Sequence, residues 1–254
     1  MKICLFSHYS EEEYIPNSVL YYLEKLNEIV DQVIVLTNNR HITNLNILSD
    51  LKIGYHLYPN SGYDFGMYYK FLTNNIIHCD QLYLVNDSMI LFNDLTEIDK
   101  WVNDNKEIDM LSLTDSVEVS HHLQSFFLVL NKETQTEFIS YLNKNKIKDK
   151  FLDVIHTYEV GFSTYLLRNG YKLLTKYSNK IYTTSGKTNS VIYYPIKLID
   201  DKLPMIKRKL LFNTFHGEDK RFLESINFNF KVNYWDKILE NKENNLNINY
   251  IKNK

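Results

Sequence analysis

Asn60-Ser61-Gly62-Tyr63-Asp64-Phe65-Gly66, followed by Leu82-Tyr83-Leu84-Val85-Asn86-Asp87-Ser88, decides the reading of this chain. The second stretch is an apolar run that ends abruptly in a short polar cluster, the pattern of a buried strand that delivers a carboxylate at its carboxyl end. Open α/β sheets bind ligands in the crevice outside those ends. A carboxylate placed there can hold a divalent cation, and the cation can hold a diphosphate. The first stretch adds a second carboxylate, Asp64, between Gly62 and Gly66, which let backbone approach a ligand closely. Together they point to a nucleotide-sugar site.

The surrounding chain alternates strand and helix. Lys2 to Ser7 reads as a first strand rather than a signal peptide, and Asn17 to Asn27 carries Val19, Leu20, Leu23 and Leu26 at helical spacing. Gln32 to Thr37 is a β-branched run without polar alternation, as expected of a strand buried on both faces. A third strand is predicted over Tyr55 to Tyr58, a helix from Gly66 to Asn74, and a strand over Gln81 to Val85. Beyond Asp87 the pattern predicts a helix at Leu95 to Asn103 and strands at Asp109 to Leu113 and Ser125 to Leu130. Helices follow at Lys132 to Asn143 and at Tyr158 to Asn169, the last stopped by Gly170. This alternation argues for an α/β fold, a mostly parallel sheet with helices on both faces. The expected division is one domain over residues 1–210 with a C-terminal extension over 211–254, its Asn- and Lys-rich end disordered.

Composition excludes several classes. A net charge of −2 over 254 residues gives no basic field for nucleic acid. Cys4 and Cys79 are the two cysteines, too few for a disulfide framework or a cysteine-rich zinc site. No apolar run approaches the ~18 residues of a spanning helix. Neither a dinucleotide fingerprint, a P-loop nor a Gly-x-Ser-x-Gly elbow is present. The expected location is cytoplasmic, with peripheral contact at the inner face of the membrane as a further expectation.

Five pieces of the chain resemble the rhamnan synthesis F family of bacterial polysaccharide glycosyltransferases: Asn60 to Gly66, Asn86 to Ser88, His122 to Val129, Tyr158 to Gly161, and Pro204 to Arg208. They occur in the family's order and span most of the chain, roughly Lys2 to Arg208. The resemblance implies a GT-A-like (nucleotide-diphospho-sugar transferase) fold. It also implies transfer, often of a deoxysugar such as rhamnose, from a nucleotide-diphosphate donor to a surface polysaccharide or lipid-linked glycan. A looser similarity to inverting GT-A enzymes makes Glu159, which opens a helix closed by Gly170-Tyr171, the base that deprotonates the acceptor hydroxyl. Tyr158-Glu159 stands here where that group usually has Glu-Asp.

Each candidate residue also has a plain structural reading. Asp87 is the metal-side carboxylate for Mn²⁺ or Mg²⁺, or else it closes an Asx turn; one carboxylate in Asn86-Asp87-Ser88, where a DxD motif has two, leaves metal use open. Asn86 is a substrate contact. Asp64 accepts hydrogen bonds from a ribose or base, or caps the helix that follows. Glu159 is the base, or an acid favoured by ~0.3–1 kcal/mol in a first helical turn. Asp115, after a predicted strand, is the alternative base. His122, Gln124 and Ser125 contact sugar hydroxyls by the family match, or cap a strand edge; the adjacent His121-His122 is not a usual zinc spacing. His8 lies where a nucleotide base could sit, or is a polar loop residue, and His216 is a remote metal-ligand candidate. Lys207-Arg208-Lys209 is a clamp on the donor diphosphate, or a solvated run attracted to anionic lipid. Two competing readings are a non-catalytic sugar- or nucleotide-binding scaffold and a membrane adaptor.

Overall fold

The computed structural model describes residues 1–183 and 189–212, and the side chains of all of these but 211 and 212. In chain order the first half runs β1 (Lys2–His8), α1 (Asn17–Asn27), β2 (Gln32–Thr37), α2 (Asn46–Asp50), β3 (Gly54–Leu57), α3 (Tyr63–Asn74), β4 (Gln81–Asn86) and β5 (Met89–Leu91). Then follow α4 (Thr96–Asp104), β6 (Met110–Ser116), β7 (His122–Leu123), β8 (Phe127–Asn131) and α5 (Lys132–Asn145). A continuous helical run comes next: α6 (Phe151–Val154), a π-helical turn (Ile155–Val160) and α7 (Gly161–Arg168). The chain continues through β9 (Leu173–Tyr177), α8 (Asn179–Tyr182), α9 (Ser190–Tyr193), α10 (Pro195–Asp200), β10 (Met205–Lys207) and α11 (Arg208–Phe212).

Eight strands form one sheet in the order β3-β2-β1-β4-β8-β6-β7, with β9 also on β6. Pairs β2–β3, β1–β2, β1–β4 and β6–β9 are parallel, and β8 runs antiparallel to both β4 and β6. No helix separates β6 from β8, so the chain returns without the crossover that a parallel neighbour needs. Apolar runs tell that a strand is buried on both faces, not which way it points. In the register, side chains alternate between two cores. Cys4, Phe6, Tyr83 and Val85 join one with α1 and α4 residues such as Leu23 and Val102. Ile3, Leu5, Leu82 and Leu84 join the other with Phe71, Phe138 and Leu166 of α3, α5 and α7. Helices therefore cover both faces, as the alternation predicts.

Three of the boundaries that differ from expectation bear on the site, and β8 begins at Phe127, which leaves Ser125 ahead of the strand. Helix α3 begins at Tyr63, three residues early, because Gly62 (φ 80°) and Tyr63 (φ 54°) both take the left-handed conformation and turn the chain sharply into it. Strand β6 extends to Ser116, so Asp115 lies inside a strand, paired with Leu123, rather than after one. The last long helix starts at Phe151, so Glu159 sits in its middle. Gly170 (φ 83°) does stop that helix: its N–H bonds the Leu167 carbonyl, and the Tyr171 N–H bonds that of Leu166. Expectations for 213–254, His216 included, lie outside the described residues. Among those described, no helix is long and apolar enough to cross a membrane.

Candidate functional site

Strands β1 and β4 run side by side and end together, Ser7 opposite Asn86. Asp64, at the start of α3, bridges the two ends: the Ser7 hydroxyl donates to Oδ1 at 2.8 Å and Asn86 Nδ2 donates to Oδ2 at 2.9 Å. The helix-cap reading of Asp64 is thereby corrected, since Gly62 holds the cap position and no side chain caps the helix. Burial, then the neighbouring charge of Asp87, push the Asp64 carboxyl up to about 7, against the Ser7 bond and the Lys207 charge. The two glycines of the loop serve the loop itself. A Cβ on Gly66 would lie 1.8 Å from the Ser61 carbonyl oxygen, so the close approach there is by the chain's own backbone.

The Asx turn expected at Asp87 belongs instead to Asn86, whose Oδ1 accepts from the Ser88 N–H at 3.1 Å. Asp87 Oδ2 accepts from His8 Nδ1 at 2.7 Å. His8 is the last residue of β1 and is buried, so it is not a loop residue; its Nε2 has no partner. The basic run returns to the same place. β10 pairs antiparallel with β5, setting Lys207 opposite Met89, and Lys207 Nζ donates to Ser88 Oγ at 3.1 Å above the Phe126 ring. Arg208 donates its backbone N–H to the Ser88 carbonyl at 2.8 Å and Nε to the Asp87 carbonyl at 2.9 Å. Lys207 is not a solvated surface lysine: burial draws its ammonium below the usual range, opposed by Glu159, Asp64 and Asp87.

A cavity of about 670 Å³ opens here. Asp64, Asn86, Ser88, His122, Gln124, Ser125, Glu159, Lys207, Arg208 and Lys209 line it together, with the Glu159 charge acting on Lys207. Glu159 projects from the π-helical turn and accepts the Ser125 N–H on Oε1 at 2.9 Å. The Thr114 hydroxyl donates to Gln124 Oε1 at 2.6 Å. His122 Nδ1 lies 2.7 Å from the Ser120 carbonyl, which accepts its proton and leaves Nε2 as the acceptor of the neutral ring. Asp115 is apart from this group: it is 2% exposed and does not line the cavity. Burial alone would raise its carboxyl, but bonds from His121 Nε2 (2.9 Å) and the Asn179 N–H hold it below the usual range. All five stretches singled out in the sequence therefore meet in one crevice.

A family model described as rhamnan synthesis protein F matches residues 32–252. The chain belongs to that family.

No curated protein matches this rhamnan synthesis F member. Among solved structures it is similar to 4-diphosphocytidyl-2C-methyl-D-erythritol synthase from Anaerococcus prevotii, at 8% identity and TM-score 0.48 over 74% of this chain and 93% of that one. It is also similar to a mannosyltransferase from Pyrobaculum calidifontis in complex with GDP-Man and Mn²⁺, at 9% identity and TM-score 0.44 over 68% of this chain and 54% of that one. A third is the apo-form glycosyltransferase GlyE of Streptococcus pneumoniae, at 12% identity and TM-score 0.45 over 96% of this chain and 63% of that one. The chain thus spans about half the mannosyltransferase and under two thirds of GlyE. At TM-scores below 0.5, these likenesses have no weight in assigning an activity.

A divalent cation at a diphosphate is usually held by one or two carboxylates, with phosphate oxygens and water completing the set. Asp64 and Asp87 are the carboxylates placed here for that role. Each Asp64 oxygen accepts one bond, from Ser7 or from Asn86, and Asp87 Oδ2 accepts from His8. Among the described residues no three His, Cys, Asp or Glu side chains converge as a metal site. Among the cavity residues given no role from sequence are Phe151 and Tyr63, whose rings meet edge-on at 5.6 Å. An isolated exposed aromatic makes no periodic signal, although Tyr63 stands beside Asp64 in the opening motif.

Proposed function

We propose that this rhamnan synthesis F protein transfers a sugar, rhamnose or another deoxysugar, from a nucleotide-diphosphate donor to a surface polysaccharide or lipid-linked glycan, with inversion. The observation that carries the reading is one cavity outside the carboxyl ends of the parallel strands β1 and β4 that gathers the cations Lys207, Arg208 and Lys209 with the carboxylates Asp64 and Glu159. Lys207, Arg208 and Lys209 face the donor diphosphate, where negative charge grows as the bond to the anomeric carbon breaks. Cations fixed in advance stabilise such charge without reorganisation. Arg208 is held by the Asp87 and Ser88 carbonyls, and Lys207 by Ser88 and the Phe126 ring, so the clamp is in place before the ligand arrives. Asp64 and Asn86 meet hydroxyls of the donor. Glu159 takes the acceptor's proton as its oxygen attacks, and the Ser125 N–H fixes the carboxylate's orientation. His122 Nε2 and Gln124 hold sugar hydroxyls. Asp115, spent on His121 and Asn179, serves the fold.

The test is Glu159→Gln, assayed for release of nucleoside diphosphate from UDP-, GDP- and dTDP-sugars in the presence of glycan acceptors. Loss of a general base costs roughly 10²–10⁴-fold in rate, so turnover should fall by about that much while the nucleotide still binds. Turnover equal to wild type contradicts the assignment. A binding-only scaffold is the second reading, favoured by the internal bonds that occupy Asp64 and Asp87; it expects nucleotide binding with no turnover in the wild type itself.

A further inference from the structure

We propose that Tyr63 and Phe151 form a stacking platform for a pyranose ring of the acceptor glycan at the mouth of the cavity. The proposal deepens the glycosyltransferase reading and rests on it. Both rings line the cavity, yet Tyr63 is 43% and Phe151 58% exposed among the described residues. They meet at 5.6 Å with an interplanar angle of 64°, a corner of two aromatic surfaces left open to solvent. An aromatic face carries a negative quadrupole that attracts the polarised C–H groups on the apolar face of a sugar ring.

Phe151 ties the platform to the acceptor side: it begins the same helical run that carries Glu159 two turns later, so one rigid element joins it to the proposed base. The cations proposed to hold the donor come from β10 and α11. Tyr63 directly precedes Asp64 on α3, so the nucleotide arm of the test decides between the two sides. The mouth also carries polar groups suited to hydroxyls: Glu118 is exposed there, with Asn189 Nδ2 donating to its Oε2 at 3.2 Å. Aromatic faces beside a carboxylate and an amide match a sugar better than an acyl chain.

The backbone of Tyr63 is a second, independent observation. Its φ of 54° puts a bulky aromatic residue in the left-handed region, directly after Gly62 at φ 80°. Such a conformation is an outlier for a bulky side chain and is kept where its surroundings require it. Glycine would be the unstrained choice for a turn with no further duty.

The experiment is saturation-transfer NMR on the full chain with methyl rhamnoside, glucoside, galactoside and N-acetylglucosaminide and their disaccharides. Thermal shifts with UDP, GDP, dTDP and CMP are recorded in parallel. Wild type should give transfer concentrated on the C–H face of at least one glycoside. Tyr63→Ala/Phe151→Ala should lose roughly tenfold or more of that affinity, on the scale of aromatic stacking, and keep the nucleotide shift. Tyr63→Phe should retain both. Tyr63→Gly, which suits the left-handed backbone, should keep its Tm and lose the glycoside signal, so that misfolding cannot mimic the result. An unchanged glycoside signal in the double variant, or none in wild type, overturns the platform. Loss of the nucleotide shift with the glycoside signal kept also overturns it, assigning the rings to the base of the nucleotide. If no nucleotide shifts the wild type but the rings still govern glycoside binding, the donor reading fails and the platform stands.

Discussion

Asp64 is held by two donors, Ser7 and Asn86, beside the negative charge of Asp87, and the balance has a pH signature. Its carboxyl moves from 3.8 to about 7 on folding. Between those values the unfolded chain releases a proton that the folded chain keeps, so this group's contribution to stability falls as pH rises through that window. Calorimetry should show Tm dropping between about pH 4 and pH 7, with the drop flattened in Asp64→Asn, where an amide can still accept from Asn86 and donate to Ser7. Equal pH slopes in the two proteins contradict the raised carboxyl. At this scale the sequence discloses Asn86 at the end of an apolar run, Asp64 between two glycines and Lys207 in a basic run. It does not disclose their partners. That His8 is spent on Asp87, and Asp115 on His121 and Asn179, follows from strand ends meeting in space, which no local spacing encodes.

The helical run from Phe151 to Arg168 shows what an element adds. Its π-helical turn carries Glu159, and such turns recur at functional sites because they re-aim a side chain. Gly161 closes the turn where a Cβ would stand 2.6 Å from the Tyr141 hydroxyl and 2.8 Å from the His156 carbonyl oxygen. Tyr141 in turn donates to the Thr157 carbonyl at 2.7 Å. Gly161→Ala must therefore shift backbone. It is expected to cost ~1–3 kcal/mol, the usual scale of overpacking, and to lower turnover further by moving Glu159. Denaturant unfolding and the diphosphate-release assay read the two effects; wild-type values for both contradict this role of the turn. The helix itself is legible from its apolar spacing and from Gly170, but its first residues are not. Phe151 and Leu152 are 58% and 64% exposed and break the amphipathic pattern that marks an N-terminus.

Across the whole molecule, the part of the fold that sequence reveals is the part set by period-two burial. Strands such as Val33-Ile34-Val35-Leu36 feed both cores and read as unbroken apolar runs. The antiparallel β8 and the return of β10 onto β5 are invisible to that signal, yet they deliver Ser125 and Lys207 to the cavity. The account's central claim is that this cavity binds a nucleoside diphosphate through cations of the chain. Its most direct test is a thermal-shift panel of UDP, GDP, dTDP and CMP, with EDTA or with Mn²⁺, on wild type and Lys207→Met. Methionine keeps the apolar stem against Phe126 and removes the charge. A ligand at ~100 times its Kd stabilises the folded state by about 2.7 kcal/mol, a rise of several degrees for a chain of this size. The expected result is such a rise with one nucleoside diphosphate, present in EDTA and absent in Lys207→Met. No rise with any nucleotide, or an equal rise in the variant, would contradict it.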